Sequence, residues 1–195
     1  MDEQIISAFR NKINSYYTVS EDSFRELITA AAVISLTKDE ILLREGYTCN
    51  YIYFLNTGYL IAFIEDETGH RYNKNIFTPL DLVSSTVSAI LHQPSAFTLQ
   101  AVTACTLLRI PYQFYRDLIF KKADLQKFYL HYLERNWIIE KEAREISLVM
   151  EDAETRYNKL LQAKPGIEKH VPLQHIASHL GITPTQLSRI RKSRK

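Results

Sequence analysis

The sequence predicts an α+β chain: helices first, then an antiparallel β-roll of short strands, then helices to the end. Three observations carry this. Between Val33 and Ile110, β-branched and aromatic runs are short and punctuated by turns. From Tyr112 to Val149 there is no Gly or Pro, and apolar residues recur at helical spacing. Residues 171–195 then read as two short helices joined by a glycine turn. The strand-like runs succeed one another without helices between them, which argues against a parallel sheet.

Residues 1–32 read as helical, with Ile5, Ile6, Phe9 and Ile13 on one face. Ser20 ahead of Glu21 and Asp22 is an N-cap with acids in the first turn, where they favour the helix dipole. Runs such as VISL (33–36), YIYFLNTG (51–58), FTLQAVT (97–103) and TLLRIP (106–111) supply strands, and Asp66 to Gly69 marks a hairpin turn. After Pro111 the helical period returns. Phe128, Tyr132, Arg135, Ile139, Glu142, Ile146 and Val149 fall at alternating steps of four and three, and Leu130, Leu133 and Trp137 widen the stripe. Such a helix either pairs with its own copy or packs on its own domain. A further helix over Ala153–Ala163 ends at Lys164-Pro165-Gly166, because Pro cannot continue the hydrogen-bond ladder.

An apolar share of 46% is enough for a real core. No run of about 18 apolar residues appears, so no membrane span is expected. The charged N-terminus does not read as an export signal. Cys49 and Cys105 are the only cysteines, which points to a reducing compartment, hence a cytoplasmic location, and not to a disulfide scaffold. The histidines lack metal-ligand spacing, and neither cofactor nor metal is expected. Charge is unevenly placed. Residues 1–163 carry a net −4, residues 164–195 a net +6, and Arg189 to Lys195 hold five cations and no acid. That asymmetry points to a polyanionic partner for the C-terminal part, or to a solvated basic tail.

The segment VPLQHIASHLGITPTQLSRIRKSRK (171–195) is the most specific signal. Ala177 is small where two helices cross closely, and Gly181 supplies the left-handed turn between them. Ile176, Leu180, Ile182, Leu187 and Ile190 fill the core between the helices. Thr183 is a good N-cap, Pro184 suits the first helical position, and Gln186 can close a capping box with Thr183. With Leu187 and Ile190 inward, Thr185, Ser188, Arg189 and Lys192 point out. The N-terminal part of such a helix enters the major groove of DNA, where Arg189 can pair with guanine. Thr185 and Gln186 are the next candidates for base contact; for Gln186 the cap is an equal alternative. Arg191, Lys192, Arg194 and Lys195 would neutralise phosphates.

With roll, long helix and terminal helix-turn-helix in that order, the chain resembles the Crp/Fnr family of transcription regulators. The resemblance rests on DEILLREG (39–46), YIYFLNTGYL (51–60), EDETGHRY (65–72), FTPLDLV (77–83), PSAFTLQAVTACTLLRIP (94–111) and the segment at 171–195, with turn glycines Gly46, Gly58 and Gly69. ITPTQLSRIRK is similar to Bacteroidetes-type members. The resemblance implies a cyclic-nucleotide-binding-type β-roll with N-terminal helices (1–120), a dimerisation helix (121–150) and a helix-turn-helix DNA-binding domain (151–195).

The sequence departs from that pattern in the phosphate-binding cassette. Relatives that bind cyclic AMP carry a proline-glycine-aspartate turn, a glycine-glutamate pair and an arginine. Here Pro79-Leu80-Asp81, Ser84-Ser85 and Pro94 stand in those places. A cyclic phosphate wants a cation and a ribose hydroxyl wants a carboxylate. An ordinary cyclic-nucleotide sensor is therefore not expected; Ser84, Ser85 and Ser95 remain as the polar groups for a small effector. At the reading helix Pro184-Thr185 replaces the family's arginine-glutamate start, and Arg189 matches. The function expected is a homodimeric regulator that binds double-stranded DNA and is not an enzyme. The alternative is a signalling module that binds a small ligand or a partner through the roll.

Overall fold

The computed structural model describes residues 3–193. Arg194 and Lys195, expected to meet phosphates, lie outside the described residues. Helices α1 (Glu3–Asn14) and α2 (Glu21–Ile28) open the chain. The cap read at Ser20 is formed: α1 stops at Asn14, and Ser20 starts α2 by accepting from Ser23 N–H at 3.2 Å, while the helical run ends at Ile28, short of residue 32. α1 buries Ile5, Phe9 and Ile13, the three apolar positions that share its inner face.

Eight strands come next: β1 (Ala32–Leu36), β2 (Ile41–Leu43), β3 (Tyr51–Thr57), β4 (Leu60–Glu65), β5 (Arg71–Phe77), β6 (Leu82–Val83), β7 (Thr98–Ala101) and β8 (Cys105–Pro111). They form two four-stranded sheets, β1-β8-β3-β6 and β2-β7-β4-β5, and the pairings are antiparallel. The sheets face each other over Leu55, Leu60, Leu99 and Leu107, each wholly buried. The β4–β5 hairpin turns where Asp66 Oδ1 accepts from Thr68 N–H at 2.9 Å and His70 N–H at 3.0 Å. Gly58 turns β3 into β4 at φ +90°, and a Cβ there would stand 2.3 Å from the Ala104 carbonyl oxygen.

Helix α3 (Thr86–Leu91) interrupts the roll between β6 and β7, and α4 (Tyr112–Lys121) leaves it. The long helix comprises α5 (Ala123–Leu133), a π-helical stretch (Glu134–Ile139) and α6 (Glu140–Met150). Its junction residues keep right-handed helical dihedrals, so the rod is unbroken. The sequence's stripe assumes one α-helical phase throughout. The π-stretch winds more residues into a turn and rotates α6 relative to α5. In α5, Leu125 and Phe128 are wholly buried. Beyond the π-stretch Ile146 is 54% and Val149 82% exposed.

Glu151 and Asp152 end the rod, and Asp152 caps α7 (Ala153–Ala163) by accepting from Thr155 N–H at 2.7 Å. Then come α8 (Ile167–His170), α9 (Leu173–His179) and α10 (Pro184–Ser193). Their core is shared with the roll: Tyr157, Ile176, Ala177 and Leu187 belong to one buried cluster with Ile61, Phe63 and Ile76.

Candidate nucleic-acid interface

The α9–α10 pair is built as its sequence requires. Leu180 N–H bonds back to Ile176 and Ala177, and Ile182 N–H reaches Ala177 O at 3.0 Å. Gly181 turns the chain at φ +70°. Ile176, Ala177 and Leu187 are wholly buried. At the start of α10, Gln186 N–H donates to Thr183 Oγ1 at 3.2 Å and Thr183 N–H donates to Gln186 Oε1 at 2.9 Å. This is a reciprocal capping box. The cap read for Gln186 is formed.

Burying Leu187 turns the opposite face outward. Thr185, Gln186, Ser188, Arg189 and Lys192 are exposed, as is Thr183 at the cap. Arg191 behaves differently. Its Nε lies 2.9 Å from Glu168 Oε1, and the buried Tyr157 hydroxyl donates to the same carboxylate oxygen. The ion pair thus ties α10 to α8 and, through Tyr157, to α7. The sequence sets Arg191 among the phosphate contacts and gives no hint of Glu168, because a lone acid in a basic segment carries no local signal.

A second feature that the sequence does not announce seats α9 on the edge of the roll. Asn73 N–H of β5 donates to Ser178 Oγ at 2.9 Å, and Ser178 Oγ donates to Arg71 O at 2.8 Å. Asn73 Nδ2 donates to His175 O at 3.1 Å. Arg144, from the long helix, donates to Lys74 O at 2.6 Å and places a second nitrogen 3.2 Å from His179 Nδ1. His179 Nδ1 also lies 3.1 Å from Asn73 O. Burial, and then the Arg144 charge, hold His179 far below the ordinary histidine range, at about 3, so its ring is neutral near pH 7. Roll, rod and terminal helices meet at this one junction. Lys164 adds a tether, 3.1 Å from Asp81 Oδ2 in the roll.

The three serines expected to meet an effector lie around α3. Ser85 and Ser95 are each 2% exposed, with their hydroxyl oxygens 2.9 Å apart. Ser95 Oγ also reaches Phe97 O at 2.8 Å. Ser84 is not in that pair; its hydroxyl donates to Tyr51 O at 3.1 Å, beside the Cys49 thiol. The structure thus brings two of the three together and engages each hydroxyl within the protein. Among the described residues no group of His, Cys, Asp or Glu is placed to hold a metal ion, and no helix is long and apolar enough to cross a membrane.

Residues 33–122 match the profile of the cyclic nucleotide-binding domain. The roll is thus similar to a cyclic nucleotide-binding domain, and here it is continued by a long helix and a helical C-terminal part. No curated protein matches the chain. Among solved structures it is similar to FixK2 from Bradyrhizobium japonicum, at 17% identity and TM-score 0.69, over 84% of this chain and 83% of that one. It is similar to the c-di-GMP-responsive global regulator CLP of Xanthomonas campestris, at 15% identity and TM-score 0.64, over 89% and 91%. It is also similar to the Thermus thermophilus catabolite activator protein, at 15% identity and TM-score 0.56, over 93% and 85%. At these identities the likeness is one of fold, and it extends well beyond the roll.

Proposed function

We propose that the chain is a sequence-specific, DNA-binding transcription regulator of the Crp/Fnr type that acts as a homodimer. The observation that carries the reading is α10: anchored by Leu187 and capped by Thr183 and Gln186, it holds Thr185, Ser188, Arg189 and Lys192 in solvent at the basic end of the chain. Arg189 is the base-reading residue, and Thr185, Ser188 and the free amide end of Gln186 flank it. Lys192 neutralises phosphate, whereas Arg191 chiefly holds α10 against Glu168. The apolar exposure of Ile146 and Val149 supports pairing of two rods at residues 121–150, with 1–120 as sensor and 151–195 as reader. Two readers related by a two-fold axis would select a pseudo-palindrome.

The likeness of the α10 sequence to Bacteroidetes-type members, and a cytoplasmic location, belong to the same reading. The chain is not an ordinary cyclic-nucleotide sensor: the cassette lacks its arginine, and Ser84, Ser85 and Ser95 hydrogen-bond within the fold.

Selection of sites from a random DNA pool tests the reading. The expected result is a pseudo-palindrome whose binding weakens steeply with salt and falls by about ten- to a hundredfold with Arg189→Ala. A folded dimer that enriches no sequence overturns it and favours a ligand- or partner-binding module.

A further inference from the structure

The rod does not keep one helical phase, and a residue at its break is anchored. In the π-stretch the bonds run five residues back, as from Glu140 N–H to Arg135 O. Asn136 lies inside that stretch with both polar atoms of its side chain engaged. Its Nδ2 donates to Tyr132 O at 2.9 Å and to the Tyr16 hydroxyl at 3.0 Å, and its Oδ1 accepts from that hydroxyl at 3.3 Å. Tyr132 O is the carbonyl that an α-helix assigns to the Asn136 N–H, so the side chain intrudes on the α-helical ladder where the register changes. Tyr16, just beyond α1, is itself held: its ring stands edge-on to Phe128 and Tyr132, with centroids 6.0 and 5.4 Å away.

The effect on phase is visible at the two ends of the rod. Phe128 is wholly buried and shares a core with α1 and the roll, so it marks the inward face of α5. At about 100° per residue, an unbroken α-helix would return to that face at Ile146, eighteen residues on, and would point Arg144, sixteen on, roughly 160° away. The rod does the reverse. Arg144 reaches the roll, donating to Lys74 O at 2.6 Å, while Ile146 and Val149 are exposed. A π-stretch holds about one residue more than the α-helix it replaces, so α6 lags by roughly 100°. That lag brings Arg144 inward and carries Ile146 and Val149 out.

We propose that Asn136 is a positioning residue: with Tyr16 it holds the rod in its π register, and that register selects the face that α6 turns to a second copy. The inference rests on the homodimeric reading and adds to it which residues meet. Ile139, Ile146 and Val149 form the seam, with Glu142 among them. In a continuous α-helix each place would pass to the preceding residue. Ile138, Lys141, Glu145 and Leu148 would then stand at the seam, and Ala143 would replace Arg144 against the roll. Lysine facing lysine and glutamate facing glutamate weaken such a seam.

Single cysteines report the register in the full chain. A two-fold axis sets equivalent residues of parallel rods side by side, and a disulfide forms only where their Cα atoms come within about 7 Å. Cys49 and Cys105 are buried and stay in place. Sedimentation establishes the dimer, and cross-linking then reads the seam. Ile146→Cys and Val149→Cys are expected to cross-link about fivefold faster than Glu145→Cys and Leu148→Cys. Asn136→Leu is expected to reverse that preference and to weaken the dimer roughly tenfold. Deletion of Asn136 removes the extra residue together with the group that holds it, so α6 keeps its phase and the original preference returns. If Asn136→Leu fails to fold, Tyr16→Phe, which removes only the hydroxyl, carries the test, with a shift in the same direction. A dimer whose preference is unmoved by Asn136→Leu, or a deletion variant that cross-links through Glu145→Cys, overturns the role of Asn136 and leaves the pairing standing. A chain that sediments only as a monomer overturns the pairing, and this inference with it.

Discussion

The serine cluster of the roll and the outer face of α10 hold similar side chains in opposite circumstances. Ser85 and Ser95 are buried and hydrogen-bonded to each other, and the Ser95 hydroxyl also reaches the Phe97 carbonyl. Ser188 and Thr185 stand in solvent on a helix whose other face is fully anchored. A polar group already engaged inside the fold loses that bond before it can serve a ligand. A polar group in water on a rigid helix is available at little cost. Residue type alone therefore does not nominate a site; the groups that the fold leaves unengaged do.

The largest expected effect comes from the anchor beneath the exposed face. Leu187→Ala empties a wholly buried position, which costs about 2–5 kcal/mol and loosens α10. DNA affinity and thermal stability should fall together. An unchanged midpoint would mean that α10 does not share a core with the roll.

Acidification should act next, through His179. Its folded pKa is lowered to about 3 from an ordinary 6.5. A histidine whose folded pKa is depressed is charged first in the unfolded chain, so folding loses stability as pH falls from about 6.5 towards 3, and the contribution is complete above that window. The charged groups that bear on it, Arg144 from the rod and Lys164 at the end of α7, are cations and oppose a further charge there, while the Asn73 carbonyl favours it. His179→Gln should flatten the acid limb of a midpoint-against-pH series. An unaltered limb would mean that His179 has no part in the junction's response to acid.

Ser95→Ala tests the roll side of the comparison. It leaves Ser85 without its partner and should cost ~1–3 kcal/mol of stability, with the DNA site preference intact. The smallest effect is expected at Leu80, which adopts φ +74° in the Pro79-Leu80-Asp81 turn and is 45% exposed. Relief of left-handed strain, less the entropy of a glycine, should make Leu80→Gly about 0.5 kcal/mol more stable by denaturant melting. A destabilised variant would mean that the leucine side chain contributes more than the strain costs.

The features legible in the sequence are local. The Thr183–Gln186 box, the Gly181 turn, the Asp66–Gly69 hairpin and the cap at Ser20 each lie within a few residues, and each is formed in the fold. The order of roll, long helix and terminal helices comes from runs of the same kind. The illegible features depend on distant pairs or accumulated phase. Asn73 and Ser178 stand 105 residues apart, and nothing in either neighbourhood announces the other. The π-stretch at Glu134–Ile139 has no local signature, because a charged residue in the stripe such as Arg135 reads equally as an ordinary interruption of an α-helical pattern. The serines read as ligand groups because the sequence does not show that their hydroxyls meet partners inside the fold.

Whether recognition resides in α10 is best decided by the ratio of specific to non-specific DNA affinity, taken for the unaltered chain, Arg189→Ala and Ser95→Ala at one fixed salt concentration. Arg189→Ala is expected to collapse that ratio by about ten- to a hundredfold, and Ser95→Ala to leave it unchanged. A ratio that survives Arg189→Ala but falls with Ser95→Ala would contradict this, and would move recognition from α10 to the roll.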